Sequence, residues 1–133
     1  MERTNVKVSL RFIGEDYDIQ EITDTLNIIP SESWNKGEPI RNSGKKRTYT
    51  AWIYSLDAIE TLDVCEQAKK IEKVFSPKGE KIATLKKKYN LDVSVDFVII
   101  IENEDVPAIY FDASFIEFAA KIGARFDLDT YVN

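Results

Sequence analysis

The segment from 91 to 101, LDVSVDFVIII, constrains the fold more than any other part of the chain. In its first half apolar and polar residues alternate, which is the period of a β-strand with one face in solvent. From Val98 onwards both faces are apolar, so this half is predicted to be central in a sheet and well covered. The chain is therefore expected to be built around a sheet that contains this strand.

The other elements follow from the same periods of hydrophobicity. Val6 to Ile13 alternates and predicts a first strand. Asp18, with Glu21 three residues later, predicts a capping box for a short helix that ends before Pro30. The remaining predicted elements are a strand at 48–55, helices at 59–75 and 77–89, a short strand at 108–111, a helix from the capping box of Ser114 and Glu117 to about 122, and a last strand at 125–132.

This order of elements predicts an α+β fold. Two arrangements satisfy it, namely a ferredoxin-like βαβ pair or a related antiparallel sheet with helices packed on one face. The chain of 133 residues is expected to form a single domain over 1–133, because folding at this length buries about two thirds of the unfolded surface.

The segment from 30 to 47 is predicted to be one long loop, since it holds two of the four prolines and two of the five glycines. Long loops are usually functional or mobile. Trp34 lies in this segment and allows two interpretations. It is either part of a contact surface or, in the favoured interpretation, a lid that packs against Trp52 or Tyr54 at a sheet edge.

The sequence argues against several kinds of catalytic and cofactor chemistry. The chain has no histidine, which excludes Ser-His and Cys-His catalysis. Cys65, the single cysteine, lies on the apolar stripe of a predicted helix and is interpreted as a buried small hydrophobe. The segment from Arg41 to Lys45 has one glycine where a phosphate loop needs two. We therefore predict no catalytic residue, no metal site and no cofactor, and the chain is not expected to be an enzyme.

The charge and hydropathy indicate the partners and the location. With 23 acidic and 18 basic residues, the net charge of −5 is unsuited to nucleic acid and better suited to a basic protein. The opening MERTNVKV lacks the pattern of a signal peptide. The longest apolar run, 97–101, is far shorter than the roughly 20 residues of a membrane span. A cytoplasmic location without membrane contact is predicted.

Four aspartates are predicted on the polar face of the sheet, two on each of two strands, with Lys7 and Arg11 between them if those strands neighbour the first. Such a cluster suits Mg²⁺, Ca²⁺ or acid–base chemistry. The favoured interpretation is ordinary cross-strand ion pairing. The candidate binding residues are Trp34, Lys36, Glu38, Asp92, Asp96, Asp127 and Asp129.

A set of short motifs is spread over nearly the whole chain. The motifs are Val8-Ser9-Leu10-Arg11-Phe12 with Gly14, Asp16 and Asp18, then Glu21-Ile22-Thr23 before Leu26, Ile29-Pro30-Ser31 with Trp34 and Lys36-Gly37-Glu38, Trp52, and Gly123-Ala124 with Asp127-Leu128-Asp129 and Tyr131. Together they resemble the bacterial domain of unknown function 4279 family. The resemblance implies a small α+β domain and supplies no activity, catalytic residue or cofactor. Small acidic bacterial domains of this kind often occur as immunity proteins beside secreted toxins.

Two classes of function therefore remain open. The first is a non-catalytic protein-binding domain, in particular an immunity protein whose acidic face covers a basic toxin. The second is a small-ligand or nucleotide-sensing module gated by the 30–47 loop, and an enzyme with paired aspartates comes third. The chain has more apolar side chains than a one-sided sheet can hide, so either the helices cover more than one face or two chains pair, and a homodimer is the favoured alternative. Those side chains are Tyr49, Ile53, Tyr54, Val98, Ile100 and Tyr110.

Overall fold

The structure is a computed structural model that describes residues 1–133. It contains eight strands and four α-helices, and a 3-10 turn joins the second helix to the third. The strands are β1 (Asn5–Gly14), β2 (Glu32–Trp34), β3 (Pro39–Ile40), β4 (Lys45–Lys46), β5 (Thr50–Ser55), β6 (Ile59–Glu60), β7 (Asp92–Ile101) and β8 (Ala124–Val132). The helices are α1 (Ile19–Leu26), α2 (Val64–Phe75), α3 (Gly79–Tyr89) and α4 (Ala113–Lys121).

Six of the strands form one sheet in the order β2, β5, β1, β7, β8, with β6 beside the start of β1. Strand β1 is antiparallel to both β5 and β7, whereas β8 runs parallel to β7. The unit β7–α4–β8 is therefore a βαβ crossover at one end of a mostly antiparallel sheet. The α+β prediction is confirmed, in the form of a related sheet with its helices on one face.

The main core lies between the helices and one face of the sheet. The alternation in β1 and β7 places Leu10 and Phe97 on this face, fully buried. Trp52 meets Phe75 of α2 with ring centroids 6.4 Å apart, and Phe97 meets Phe115 of α4 at 6.2 Å. The helices leave the other face uncovered, and we call it the open face. No helix has the length and apolar character needed to cross a membrane.

The second helix begins later than predicted. It starts at Val64, because the carboxylate of Asp63 caps it by accepting a hydrogen bond from the Cys65 N–H at 3.0 Å. Ile59, which has helical spacing in the sequence, pairs with β1 as part of β6. Leu62 is 56% exposed, so it does not belong to a buried helical stripe.

The predicted strand at 108–111 is absent, and only a single bridge joins Ala108 to Asp63. Phe111 packs against Phe97, with ring centroids 5.2 Å apart, instead of continuing a ladder. The predicted cap at Ser114 is also wrong. Asp112 caps α4 by accepting a hydrogen bond from the Phe115 N–H at 2.9 Å.

The cap of the first helix agrees with the prediction at Asp18 but not at Glu21. The carboxylate of Asp18 accepts hydrogen bonds from the backbone of Gln20 and Glu21. The side chain of Glu21 does not return to the cap, because it accepts hydrogen bonds from Lys88 and Tyr89 of α3. Helix α1 ends at Leu26, which is before Pro30 as predicted.

The prediction of one long loop from 30 to 47 is wrong. Strand β2 pairs with β5, and β3 and β4 form a small hairpin of their own. Two backbone hydrogen bonds close the hairpin, from Gly37 N–H to the Arg47 carbonyl at 2.8 Å and from Arg47 N–H to the Glu38 carbonyl at 2.7 Å. Gly37 adopts a φ of 91°, which a side chain would disfavour. We call residues 35–49 the hairpin segment.

Candidate protein-binding face

The four predicted aspartates lie together on the open face, on β7 and β8. Asp96 is the direct neighbour of Asp127 in the parallel register. Because side chains alternate along a strand, Asp92 and Asp129 project on the same side. Lys7 and Arg11 lie on the same face of β1, which is next to β7. We call Asp96, Asp127 and Asp129 the acidic cluster.

Arg125 of β8 neutralises one end of this face. Its guanidinium makes two hydrogen bonds to the Asp92 carboxylate, both at 3.1 Å, and a third to Asp127 at 2.8 Å. The hydrogen bonds and charge of Asp92, together with Asp127, raise the pKa of Arg125 above its usual value. All three side chains are about half exposed, so solvent screens the pairs and each adds little stability.

Arg11 and Asp96 form a more buried pair. One guanidinium nitrogen lies 2.9 Å from Asp96 Oδ2, and the side chains are 29% and 18% exposed. Burial, the largest single influence, would lower the pKa of Arg11, but the hydrogen bonds and charges of Asp96 and Tyr49 together raise the pKa above its usual value. Asp96 Oδ1 is buried without a hydrogen-bond partner. The favoured interpretation of cross-strand ion pairing therefore describes Asp92 and Asp96, whereas Asp127 pairs with Arg125 of its own strand.

Asp129 differs from the other three, because no cation lies within ion-pair distance of it. Its carboxylate accepts a hydrogen bond from the Tyr131 hydroxyl at 2.8 Å. This hydrogen bond and the charge of Asp129 raise the pKa of the Tyr131 phenol. Asp129 is thus an exposed carboxylate whose charge is not neutralised within the chain.

A shallow cavity of about 470 Å³ lies over the acidic cluster. Its walls also include Arg11, Val98 and Leu128. The mixture of three carboxylates, one guanidinium and apolar groups suits the side chains of a protein better than a small ligand that must be enclosed. No group of three or more carboxylate or thiol side chains converges closely enough to hold a metal ion.

Trp34, Lys36 and Glu38 lie at the other end of the open face and do not join the acidic cluster. Lys36 forms an ion pair with Glu15 at 3.1 Å. Glu38 accepts a hydrogen bond from the Asn35 side chain at 3.0 Å within the hairpin segment. The candidate binding residues therefore form two separate groups.

Trp34 is 8% exposed, as the lid interpretation expects, but its predicted neighbours are wrong. Trp52 and Tyr54 point to the helices, whereas Trp34 packs on the opposite face of β5 with Ala51 and Ile53. Its ring centroid lies 5.7 Å from that of Tyr49. The sequence alone assigned the wrong face, because it did not show that β2 pairs with β5 and brings Trp34 beside Ala51.

The sequence analysis did not identify three residues that shape this face, namely Arg125, Tyr131 and Arg47. Arg125 and Asp127 are two positions apart on one strand, so their pairing was visible in the sequence. The contact of Arg125 with Asp92 was not visible, since it depends on which strands are neighbours. Nothing in the pattern marked Tyr131 as the donor to Asp129. Nor did it mark Arg47, whose guanidinium packs over the Trp34 ring.

Cys65 provides no alternative centre. It lies in the first turn of α2 and is 4% exposed. It lies at the wall of a shallow cavity that is also lined by Asp63, Lys69 and Tyr110. Solvent access to the thiol is small, which agrees with its interpretation as a buried hydrophobe.

The fold and the face together define a small α+β domain with one bare, charged sheet face. A family model described as a domain of unknown function, DUF4279, matches residues 4–133. The chain belongs to this family. No curated protein and no solved structure gives a significant match to the chain.

Proposed function

We propose that the chain is a non-catalytic, protein-binding domain whose acidic cluster binds a basic protein. The observation that carries this proposal is Asp129, an exposed carboxylate without a cation, beside Asp127 and Asp96 in an open cavity. A basic side chain entering this cavity gains charge complementarity, and the field of the acidic chain accelerates its approach.

In its more specific form the proposal is an immunity protein of a bacterial cytoplasm that neutralises a basic toxin. The net charge of −5 supports a basic partner. The absence of histidine supports a binding function over catalysis. A toxin encoded next to this chain in the genome would be the natural first partner to test.

The experiment measures binding of the chain to the purified product of the neighbouring gene, at low and at high salt. We expect Asp127→Asn with Asp129→Asn to weaken binding by about tenfold or more and to reduce its salt dependence. The matched control is Asp24→Asn with Glu117→Gln, which removes the same charge from exposed helical positions. Equal effects of the two double variants would contradict the proposal.

The alternative of small-ligand or nucleotide sensing has one supporting observation. Arg41, Lys45 and Lys46 of the hairpin segment are exposed, and no carboxylate lies within ion-pair distance of them. Exposed cations of this kind suit phosphate groups. A thermal-shift screen with nucleotides tests this alternative, and a rise in the melting temperature that Lys45→Ala with Lys46→Ala abolishes would support it.

The homodimer remains a prediction, with fewer residues to support it. Ile53 is buried in a cluster with Trp34 and Ala51, and Tyr54 packs against Phe75. Val98 and Ile100 are half-buried on the open face, and Tyr110 is 52% exposed. A dimer mass by light scattering at micromolar concentration would support the pairing, and a monomer mass would contradict it.

A further inference from the structure

We propose that the outer edge of β8 accepts an extended segment of the basic partner as an added strand of the sheet. This inference rests on the proposed function, because it specifies how the partner of the acidic cluster is held. The occupant is a segment in which cationic and apolar residues alternate. Its backbone would pair with β8, and its side chains would lie on the two faces of the sheet.

The outer edge of β8 is free. Strand β8 is the last in the sheet and pairs only with β7. The N–H of Asn133 donates to the Ile101 carbonyl at 3.0 Å, so the odd-numbered residues of this strand direct their backbone groups toward β7. The N–H and carbonyl groups of Phe126, Leu128 and Thr130 therefore point outward. None of them has a hydrogen-bond partner within the chain.

This edge is unusual in its length and regularity. Natural edge strands are normally short, or carry proline, bulges or charged side chains, especially lysine. Strand β8 spans Ala124–Val132 without proline, glycine or lysine, and its charged side chains are Arg125, Asp127 and Asp129. The opposite edge, β2, is limited to Glu32–Trp34 and is followed directly by the hairpin segment. Only the β8 edge offers a long, uninterrupted row of backbone donors and acceptors.

The side chains of β8 define the chemistry of the occupant. On the open face Asp127 and Asp129 would lie opposite every second residue of an added strand, which favours lysine or arginine there. On the helix face Leu128 is 42% exposed and Val132 is 73% exposed. Apolar residues of the added strand would cover them. An alternating cationic and apolar segment satisfies both faces.

A second copy of this chain fits the edge less well. Full antiparallel pairing of β8 with itself is centred on Leu128, and it places Asp127 of each copy opposite Asp129 of the other. Like charges directly opposite are destabilising. The same two aspartates that favour a basic segment therefore oppose self-pairing.

The probe is a synthetic peptide in which lysine and valine alternate. It is compared with the same peptide N-methylated on its valines and with the same peptide N-methylated on its lysines. All three have the same charge, but each methylated set lacks the donors of one backbone edge. In antiparallel pairing the valine N–H groups face β8, so we expect valine methylation to weaken binding by at least about tenfold and lysine methylation to have little effect.

Amide hydrogen exchange of the intact chain supplies a second measurement. We expect the amides of Leu128 and Thr130 to exchange quickly in the free chain and to become protected when the unmethylated peptide binds. The amides of Asp127 and Asp129, which already donate to β7, are the internal control. Their protection should change much less.

Three outcomes would overturn the inference. Equal binding of all three peptides would show that charge alone holds the segment, which leaves the proposed function intact. Absence of peptide binding would contradict strand addition. It would leave the proposed function open, because the Asp127 and Asp129 variants test that function separately with the protein partner. A dimer with Leu128 and Thr130 protected before any peptide is added would make a second copy the occupant. Binding that only one methylated set abolishes would support strand addition, in the orientation that set identifies.

Discussion

The guanidinium carbon of Arg47 lies 3.8 Å from the centroid of the Trp34 ring. This contact closes a second, smaller apolar cluster on the open face, made of Trp34, Ala51 and Ile53 with Tyr49 at its margin. A cation held over an indole gains from the ring quadrupole, and its aliphatic stem covers apolar surface. The hairpin segment therefore seals this end of the open face, while the end that carries β8 stays bare.

Replacing Trp34 tests whether this cluster stabilises the fold. We expect Trp34→Ala to lower the free energy of unfolding by about 3 kcal/mol, because it removes a large buried side chain and leaves a cavity. Trp34→Phe should cost only about 1 kcal/mol, since the indole N–H is buried without a hydrogen-bond partner. Urea denaturation measures both values.

The matched control for that pair is Trp52→Phe. The Trp52 indole donates a hydrogen bond to the Thr23 hydroxyl at 3.0 Å. Trp52→Phe should therefore lower the free energy of unfolding by about 1 kcal/mol more than Trp34→Phe does. If Trp34→Ala left the stability unchanged and abolished binding of a partner, Trp34 would belong to a contact surface instead.

Gln67 should be a strong determinant of stability despite being polar. It is fully buried on α2, and its amide nitrogen donates to the carbonyls of Val6 at 2.8 Å and Asp57 at 2.9 Å. We expect Gln67→Met, which preserves the length of the side chain, to lower the free energy of unfolding by about 2 kcal/mol because it removes both of these hydrogen bonds.

Thermal or urea unfolding measures this loss. The surface variant Lys70→Met on the same helix is the control, and it should change stability by less than about 0.5 kcal/mol. Equal effects of the two variants would show that the Gln67 hydrogen bonds do not matter.

The ion pair between α1 and α3 should make stability depend on acid pH. Lys88 lies 2.7 Å from the Glu21 carboxylate, and the Tyr89 hydroxyl donates to the same group. Hydrogen bonding by Lys88, followed by that of Tyr89, lowers the pKa of Glu21 in the folded chain. A lowered folded pKa gives stability that is present above the unfolded pKa and is lost as the pH falls through the folded pKa.

We therefore expect the Glu21→Gln variant to lose less stability than the unaltered chain as the pH falls below about 4. The melting temperature, recorded at a series of acid pH values, measures this loss. The control is Glu117→Gln, an exposed glutamate on α4. If both variants changed the acid dependence equally, the Lys88 and Tyr89 contacts would not be its cause.

The sequence by itself determined much of the local structure. Alternation fixed which side chains of β1, β7 and β8 share a face, because the period of a strand is two wherever it lies in a sheet. The aspartates of the open face were predicted on that basis, and the structure places Asp92, Asp96, Asp127 and Asp129 together. The cap at Asp18 was also local, since a carboxylate and the next turn's N–H groups decide it.

The tertiary structure alone decided which strands are neighbours and which end of the open face the hairpin segment leaves uncovered. The sequence did not show that β8 lies parallel to β7, that Arg125 reaches Asp92, or that Trp34 packs beside Ala51, because each depends on pairing between distant segments. Local periodicity sets the face of a side chain but not its partner across the sheet. The open edge of β8 follows from the order of the strands in the sheet, and the sealed end under Arg47 follows from the pairing of β2 with β5.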